Sequence, residues 1–290
     1  MPDPAVEIRG LQKAYPQFTL GPLDLTVPAG AIYGFVGPNA SGKTTTIDLL
    51  FGMGDKDAGT IKVFGLDHLR DEVAVKRQVG YVSPELDFRP WQTIGKAIAF
   101  VRGFYPGWDD RYCETLLGSL HLGIDDRITT LSFGSRIKLA LILALSWRPR
   151  LLVLDEPTVG LDAIARQQIF AELLAAVEDG DRTVFISSHA ISDLERLADH
   201  VGMIKHGKLV FEGQIVDLLE RYRMVDFAIE APIDVSSQPG VVVQDRRDGR
   251  WRVLIDRQRT NLDWLTGRGA RQISEAPVSL EELFVALGRD

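Results

Sequence analysis

An apolar run ends in two adjacent carboxylates, Asp155 and Glu156, in the sequence LLVLDEP. Its length and composition are those of a buried parallel strand, and ligands of parallel sheets gather at the carboxyl ends of the strands. A carboxylate at that place is suited to hold Mg²⁺ through water, whereas its neighbour can polarise an attacking water as a general base. We therefore predict a metal role for Asp155 and a catalytic role for Glu156. A pair of solvated loop carboxylates is the alternative.

The second chemical signal is a glycine-rich loop, GPNASGKTT, at residues 37–45. It matches the pattern GxxxxGK[ST] between an apolar run and a segment of helical spacing, where backbone N–H groups and a helix N-terminus attract phosphate. Lys43 is predicted to reach the β- and γ-phosphates, and the Thr44 hydroxyl is predicted to ligate Mg²⁺. The predicted nucleotide-binding residues of the loop are Gly37, Pro38, Asn39, Ala40, Ser41, Gly42, Lys43, Thr44 and Thr45.

A third group is His189, which follows the apolar sequence TVFISS and is therefore expected at the end of another strand. Its imidazole is predicted to hydrogen-bond the γ-phosphate and the attacking water. An ordinary structural or surface histidine is the alternative. The other four histidines have no such placement and are interpreted as surface or packing residues: His68, His121, His200 and His206.

The composition restricts the class of protein. Of the 290 residues, 40 are acidic and 33 are basic, and the net charge of −7 disfavours nonspecific binding to nucleic acid. Cys113 is the only cysteine, which excludes an intrachain disulfide and fits a reducing cytosol. No secretory signal is visible at the start, and the longest apolar run, residues 139–145, is far too short to span a membrane. We therefore expect a cytoplasmic chain, with any membrane span supplied by another chain.

Periodicity in the first half predicts a β-layer followed by helices. Alternating apolar and polar residues at 6–11 and 18–27 indicate two half-buried antiparallel strands. Between residues 88 and 127 the spacing turns helical, with Thr93 as the expected N-cap of a helix at 94–104 and Asp109-Asp110 opening a second helix through Leu120. This stretch is interpreted as a helical insertion.

The second half of the sequence predicts an α/β core followed by a region with a different pattern of elements. Aliphatic runs at 151–154 and 183–187 flank the helical stretch 163–178, the alternation of a parallel βαβ unit. His206-Gly207 is expected to close a hairpin near the end of this core. Beyond about Tyr222 a small α+β domain is predicted, with strands at 225–230, 241–244 and 251–256, turns at Pro239-Gly240 and Asp248-Gly249, and helices at 261–265 and 280–287.

Together these motifs resemble the nucleotide-binding subunit of an ATP-binding cassette (ABC) transporter, over roughly residues 5–215. The resemblance implies an α/β P-loop NTPase core with an antiparallel β-subdomain and a helical insertion, followed by a small C-terminal α+β domain. The implied ABC ATPase domain covers residues 1–220, with the insertion at about 86–130, and the accessory domain covers 221–290. ATP and Mg²⁺ are the implied ligands, and ATP hydrolysis is the implied activity.

The family's signature motif LSGGQ corresponds to LSFGS at residues 131–135. In the family it binds the γ-phosphate of ATP held by the opposing subunit, so the resemblance implies that two chains sandwich two ATP molecules. Ser132 and Gly134 retain the motif, whereas Phe133 replaces its first glycine and a serine replaces its glutamine. A hydroxyl and a glycine N–H at the start of a helix, expected at 137–146, suit a phosphate.

Other family elements carry over onto single positions: the adenine-stacking aromatic onto Tyr15, the D-loop aspartate onto Asp162 and the switch histidine onto His189. Phe18 is the rival for the adenine. The family's Q-loop glutamine should follow the sequence GYVS, where this chain has Pro84 and then Glu85. Glu85 is predicted to face the metal in its place.

The sequence FYPGWD at 104–109, the single cassette and the ending SLEELFVAL are similar to cassettes of bacterial ABC-2 type exporters. The resemblance implies a second ATPase subunit, in a homodimer or a heterodimer, and separate transmembrane permease chains at the cytoplasmic face of the cell membrane. No nucleic-acid partner is expected. Phe88 and Trp91, at the start of the insertion, are predicted to meet a permease helix, with plain core packing as the alternative. Two other functions stay open: a soluble non-transport ABC ATPase acting on nucleic acid, ribosomes or regulation, and a weakly active subunit of a heterodimeric cassette pair.

Overall fold

The computed structural model describes residues 3–178, 180–229, 234–235, 237–247 and 250–287. The chain divides into two compact units, Met1–Ala190 with Arg196–Glu212, and Ile191–Glu195 with Gly213–Asp290. The second unit thus resumes after Glu212, earlier in the chain than the predicted boundary at residue 220. The helix Ile215–Arg221 belongs to the second unit because it runs directly into the strand Tyr222–Ala228 and has contacts with it.

Two sheets account for the strands of the first unit. In chain order these strands are β1 (Val6–Tyr15), β2 (Phe18–Val27), β3 (Ile32–Val36), β4 (Ala58–Val63), β5 (Leu66–Asp67), β6 (Val79–Val82), β7 (Leu151–Asp155), β8 (Thr183–Ser188), β9 (His200–Lys205) and β10 (Lys208–Gln214). The helices between β3 and β10 are α1 (Lys43–Leu50), α2 (Glu72–Lys76), α3 (Ile94–Arg102), α4 (Asp110–Ser119), α5 (Phe133–Leu145), α6 (Ala163–Val177) and α7 (Ile191–Leu197).

The central sheet has six strands in the order β10-β9-β3-β8-β7-β6. The neighbours β3, β8, β7 and β6 run parallel, as does the pair β3 and β9. The strands β3, β7 and β8 are buried at every position, which explains their continuous apolar sequences. Because Val36 pairs with Ser188 and Asp155 pairs with Ser187, the carboxyl ends of these three strands meet at one edge of the sheet. The predicted α/β core is confirmed.

The predicted antiparallel layer is also confirmed, with four strands in the order β2-β1-β4-β5. Its register pairs Val6 with Val27 and Tyr15 with Phe18 across β1 and β2. Inward-facing Ile8 and Leu25 belong to the same core cluster as Phe35 and Phe185 of the central sheet. This shared core fixes the β1–β2 hairpin beside the glycine-rich loop that follows β3.

The helical insertion begins where its capping residues predict. The Thr93 side chain accepts from the Lys96 N–H before α3, and the Asp109 side chain accepts from the Tyr112 N–H before α4. One expected boundary is wrong: α5 begins at Phe133 and not at 137. The cause is Ser132, whose Oγ accepts the Ser135 N–H at 3.1 Å and caps the helix four residues earlier.

The second unit has an antiparallel sheet in the order β12-β13-β11-β14. Its strands are β11 (Tyr222–Ala228), β12 (Val241–Arg247), β13 (Arg250–Asp256) and β14 (Arg271–Pro277), and its helices are α8 (Ile215–Arg221), α9 (Asp263–Thr266) and α10 (Leu280–Leu287). The core of this sheet includes Val225, Phe227, Val253 and Leu265. The predicted α+β class of this region is confirmed, although β14 and α8 were not expected. The turn at Asp248-Gly249 and the end of the strand expected at 225–230 lie outside the described residues.

Cys113 lies buried on α4, and burial raises the pKa of its thiol. This agrees with its interpretation as a small apolar side chain. None of the helices described is both long and apolar enough to cross a bilayer.

Candidate nucleotide-binding site

The glycine-rich loop joins β3 to α1, as predicted. Gly42 precedes the first residue of α1 with φ of 109°, a conformation that favours glycine. A Cβ at Gly42 would lie 2.9 Å from a ring carbon of Phe18 and 2.9 Å from a methyl carbon of Leu20, so the loop also packs closely on β2. The helix N-terminus is thereby aimed at the space above the loop, where an anion is favoured.

Lys43 is held by the loop itself. Its Nζ donates to the carbonyl oxygens of Gly37 at 2.8 Å and Pro38 at 3.2 Å. The same Nζ lies 3.1 Å from Oε1 of Glu156, and only 5% of the lysine side chain is exposed. A buried ammonium with oxygen atoms on several sides is prepared to exchange one of them for a phosphate oxygen.

Glu156 connects the loop to His189. Its Oε2 lies 2.8 Å from Nδ1 of His189, while its Oε1 contacts Lys43. Glu156 also has φ of 47°, a left-handed backbone that is uncommon outside glycine. Such strain is held in place by surrounding contacts and occurs often at functional sites. The three residues predicted to act on the phosphate and water, Lys43, Glu156 and His189, thus form one connected group.

Asp155 lies beneath this group and is oriented by Ser187. The Ser187 Oγ donates to Oδ1 of Asp155 at 2.5 Å and accepts the N–H of Glu156 at 2.9 Å. Ser187 is fully buried on β8, and it pairs with Asp155 across the sheet. One hydroxyl therefore holds the Asp155 carboxylate and the backbone of Glu156.

Three carboxylates interact near the start of α1. Burial raises the pKa of Asp48, and the negative charges of Asp155 and Glu85 raise it further. Asp48 follows Thr44 by one helical turn on α1, so the two residues share a face of the helix. The exposed Glu85 and Asp155 thus both act on Asp48, and a metal role of Glu85 stays a prediction.

A cleft of about 860 Å³ opens over the loop. Its lining residues come from the loop and from five other segments: Gln17, Phe18, Asn39, Ala40, Ser41, Gly42, Lys43, Thr44, Thr45, Pro84, Glu156, Val159, His189 and His206. Most of the predicted loop residues, Glu156 and His189 are therefore brought together. Asp155 lies behind Glu156 and does not line the cleft, and neither does Glu85.

The two aromatic candidates for the adenine differ in position. Phe18 lines the cleft, whereas Tyr15 is not among its lining residues. Their rings are nonetheless neighbours, with centroids 6.5 Å apart and planes inclined by 26°. Phe18 is thus the ring that this arrangement offers directly to a base above the loop.

The signature segment lies outside this chain's cleft. Ser132 is exposed at the start of α5, where its Oγ donates to the Ser135 Oγ at 2.9 Å. The Phe133 ring packs over Gly160, since a Cβ at Gly160 would lie 3.5 Å from it. Gly134 is close to Leu161, with 3.2 Å between its ideal Cβ position and a leucine methyl carbon. The start of α5 therefore packs on the loop 157–162.

Asp162 ends that loop and caps the next helix. Its Oδ1 accepts the N–H of Ala165 at 2.8 Å, at the start of α6. The residue does not line the cleft of its own chain. Ser132, Gly134 and Asp162 thus form a second polar group, separate from the cleft that holds Lys43.

Sequence reasoning missed several residues of the site. The Ser187 hydroxyl was not singled out, although its place at the end of the strand TVFISS gave a signal. Asp48 was visible only as the residue four positions after Thr44. His206 was interpreted as a surface or packing residue, and it does lie exposed, but it lines the cleft. No periodicity marks that contact, because it depends on how the β9–β10 turn approaches the loop.

Comparison with known proteins identifies the family. A family model described as ABC transporter matches residues 20–159, and one described as AAA domain, putative AbiEii toxin, Type IV TA system, matches residues 127–192. The daunorubicin/doxorubicin resistance ATP-binding protein DrrA of Streptomyces peucetius is 31% identical, covering 99% of this chain and 93% of its own length. The chain belongs to the ABC transporter ATP-binding proteins. Nod factor export ATP-binding protein I of Rhizobium sp. (strain N33) is 30% identical, over 99% of this chain and 98% of its own length.

A solved structure entitled "Structure of ATP binding subunit of ABC transporter" superposes with a TM-score of 0.68. It covers 74% of this chain and 92% of that chain at 22% identity, which confirms the predicted ABC ATPase fold. As an ABC ATPase the chain binds and hydrolyses ATP. The cleft over the glycine-rich loop is the one place where the described residues combine that loop with a carboxylate and a histidine.

Proposed function

We propose that this chain is the ATP-hydrolysing subunit of an ABC exporter, that it works as a dimer, and that separate permease chains carry the substrate across the membrane at whose cytoplasmic face it acts. The single observation that carries the hydrolytic part is the connected group of Lys43, Glu156 and His189 in the cleft over the loop. A P-loop alone binds nucleotide, whereas this group adds a base and a partner that orients it.

ATP enters with its phosphates over residues 37–45. The backbone N–H groups of the loop and the N-terminus of α1 stabilise their negative charge. Lys43, now bonded to two carbonyl oxygens and to Glu156, exchanges the carboxylate for a phosphate oxygen. Phe18 also lines the cleft, and its ring stacks on the adenine.

The exchange at Lys43 releases Glu156 for catalysis. Its carboxylate then accepts the proton of a water that attacks the γ-phosphorus. His189, already 2.8 Å from Glu156 Oε2, orients the carboxylate and donates to the transferred phosphoryl group. Water attack forms an oxygen–phosphorus bond and breaks the bond to the β-phosphate oxygen, leaving ADP and phosphate.

Thr44 and Asp155 are the residues that would hold Mg²⁺. The donor set fits a hard cation, because Thr44 has an exposed hydroxyl on the same helix face as Asp48, whose pKa is raised by burial and then by the charges of Asp155 and Glu85. Asp155, with Ser187 as its hydrogen-bond donor, is oriented by the sheet. When bound, the cation would neutralise charge on the β- and γ-phosphates. Glu85 adds negative charge at the same place.

The signature segment serves the ATP of a second chain. Ser132 is exposed at the first turn of α5, yet it does not line its own chain's cleft. An exposed hydroxyl at a helix N-terminus is suited to a phosphate presented from outside the chain. The nearby loop with Asp162 packs on this segment, so both groups belong to one surface. Two chains facing each other through these surfaces complete two sites.

The variant Glu156→Gln tests the hydrolytic assignment. It removes the base and the charge partner of Lys43 while keeping the shape of the side chain. We expect steady-state ATP hydrolysis to fall by at least about a hundredfold. ATP affinity should be kept or increased, because the phosphate no longer competes with a carboxylate for Lys43.

The measurement pairs phosphate release with equilibrium binding of ATP, for wild type and for Glu156→Gln. Asp57→Asn, which changes an exposed carboxylate bonded to Lys13 outside the cleft, is the matched control. Full ATP hydrolysis by Glu156→Gln would refute the role of Glu156 as the general base. Loss of ATP binding in this variant alone would show that the carboxylate serves binding instead.

An exposed row of aromatic rings on the insertion supports the permease part of the proposal. Phe88 and Trp91 have ring centroids 6.1 Å apart, Trp91 and Phe100 4.9 Å, and Phe100 and Phe104 5.1 Å. Phe100 is 48% exposed and Phe104 is 66% exposed, which is more than core packing requires. The names of the two relatives, a drug-resistance and a Nod factor export protein, point to export.

Capture from membranes tests the permease proposal. The tagged chain should co-purify with a polytopic membrane protein from its own organism, whereas the variant Phe100→Ser/Phe104→Ser should lose that protein and keep its ATP affinity. Val73→Ser, which also changes an exposed apolar side chain of a helix, should retain it. Equal capture by the aromatic variant would refute this surface as the contact, and capture of no membrane protein by the wild type would refute the transport role.

A further inference from the structure

The turn between β9 and β10 is fixed to both the glycine-rich loop and β2. The Gly207 N–H donates to the carbonyl oxygen of Ser41 at 2.9 Å, and the Gly207 carbonyl accepts the N–H of Gly21 at 2.7 Å. A Cβ at Gly207 would lie 2.0 Å from the carbonyl oxygen of Thr19, so only glycine allows this approach. The position of the turn is therefore determined from two sides.

His206 precedes that glycine and is directed into the cleft. Its φ is 48°, a left-handed conformation that is unfavourable for residues other than glycine. It is exposed, and it lines the cleft together with Ala40 and Phe18. Strain of this kind persists where the surrounding contacts impose it, and here the two hydrogen bonds of Gly207 do so.

The cleft is lined by two chemically different groups of residues. Lys43, Glu156 and His189 form the charged group through their mutual contacts. Gln17 and Phe18, in and after the β1–β2 turn, bring an amide and an aromatic ring to the lining. Gly207, next to His206, lies against Thr19, the residue after Phe18, so His206 enters the cleft beside the second group.

We propose that His206 is a nucleotide-binding residue that contacts the adenine and ribose of ATP, beside Phe18 in the cleft. The imidazole has an apolar face that can pack on a purine and ring nitrogens that can hydrogen-bond the ribose hydroxyls. This role rests on the proposed binding of ATP in this cleft. It assigns to His206 a part of the ATP affinity and none of the chemistry at the γ-phosphate.

The test compares ATP with inorganic tripolyphosphate, which has phosphates but neither base nor ribose. Binding to the full-length chain is measured by titration calorimetry in EDTA, which prevents hydrolysis. His206→Ala should weaken ATP binding by about three- to thirtyfold and leave tripolyphosphate binding unchanged. In steady state with Mg²⁺ the KM for ATP should rise by a similar factor, while kcat stays the same.

His121→Ala is the matched control. His121 is also exposed and has φ of 59°, but it does not line the cleft, so the substitution repeats the change of backbone strain elsewhere. Unchanged ATP affinity in His206→Ala would overturn the assignment, and so would an equal loss for both ligands, which would indicate a phosphate contact. If the wild type itself failed to bind ATP, the proposed function would fall and not merely the role of His206.

Discussion

At the scale of single residues, the carboxylates of the site depend on neighbours that no motif names. Ser187 donates to Asp155 and accepts from the backbone of Glu156, so one buried hydroxyl contacts both the residue proposed for the metal and the residue proposed for catalysis. The motifs LLVLDEP and GPNASGKTT could be recognised because each needs particular residue types next to each other. Contacts between strands, such as that of Ser187, are set by the register of the sheet and produce no local pattern in the sequence.

Phe133 illustrates how a substitution in a motif acquires a structural role. Its ring packs over Gly160, and the Arg136 guanidinium carbon lies 5.8 Å from the ring centroid. In the absence of a glycine at this position, the aromatic ring fastens the start of α5 to the loop 157–162. The residue that replaces the first glycine of LSGGQ thus has a packing role within the chain.

The variant Phe133→Ala measures that role. Removing a half-buried ring should lower the free energy of unfolding by about 1–2 kcal/mol, less than for a fully buried phenylalanine. Since the segment is proposed to serve the ATP of a second chain, kcat should fall by about three- to tenfold through misplacement of Ser132. ATP affinity of the isolated chain should not change.

Phe133→Tyr, which keeps the ring, should restore both stability and rate. Denaturant unfolding, phosphate release and ATP titration give the three quantities. A normal kcat in Phe133→Ala would show that the ring does not position the signature segment, and a changed ATP affinity would place it at the chain's own site.

At the scale of elements, strong periodicity and capping residues correctly predicted which segments are helices or strands, and at many of them the residue where the element begins or ends. The β-layer, the βαβ core, and the helices that begin after Thr93 and Asp109 all followed from local signals. The early start of α5 was missed because Phe133 and Gly134 interrupt the apolar spacing. In the structure the Ser132 cap starts the helix before these two residues despite that interruption.

The elements that sequence reasoning did not find are short or paired at long range. The strands β4 and β6 have six and four residues and take their places only by pairing with β1 and β7. The turn of His206 was predicted as a hairpin, but its contact with Ser41 joins residues far apart in sequence. The site could therefore be predicted at its motifs and not where separate elements meet over the loop.

At the scale of the whole molecule, the group proposed to hydrolyse ATP and the signature segment lie on different parts of the first unit. The cleft contains Lys43 and Glu156, whereas Ser132 and Asp162 lie elsewhere on the first unit. The second unit is part of the similarity to the drug-resistance and Nod factor export relatives, which extends over 99% of the chain. An account in which one chain works alone leaves the exposed signature segment without a role.

The central claim is that two copies close around ATP, each supplying Glu156 for its own nucleotide and Ser132 for the other. Sedimentation velocity of Glu156→Gln tests it directly, with and without saturating ATP and Mg²⁺. We predict a 32.2 kDa monomer without nucleotide and a stable species of twice that mass with ATP, which the additional change Ser132→Ala should weaken. A species that stays monomeric at saturating ATP would contradict the account.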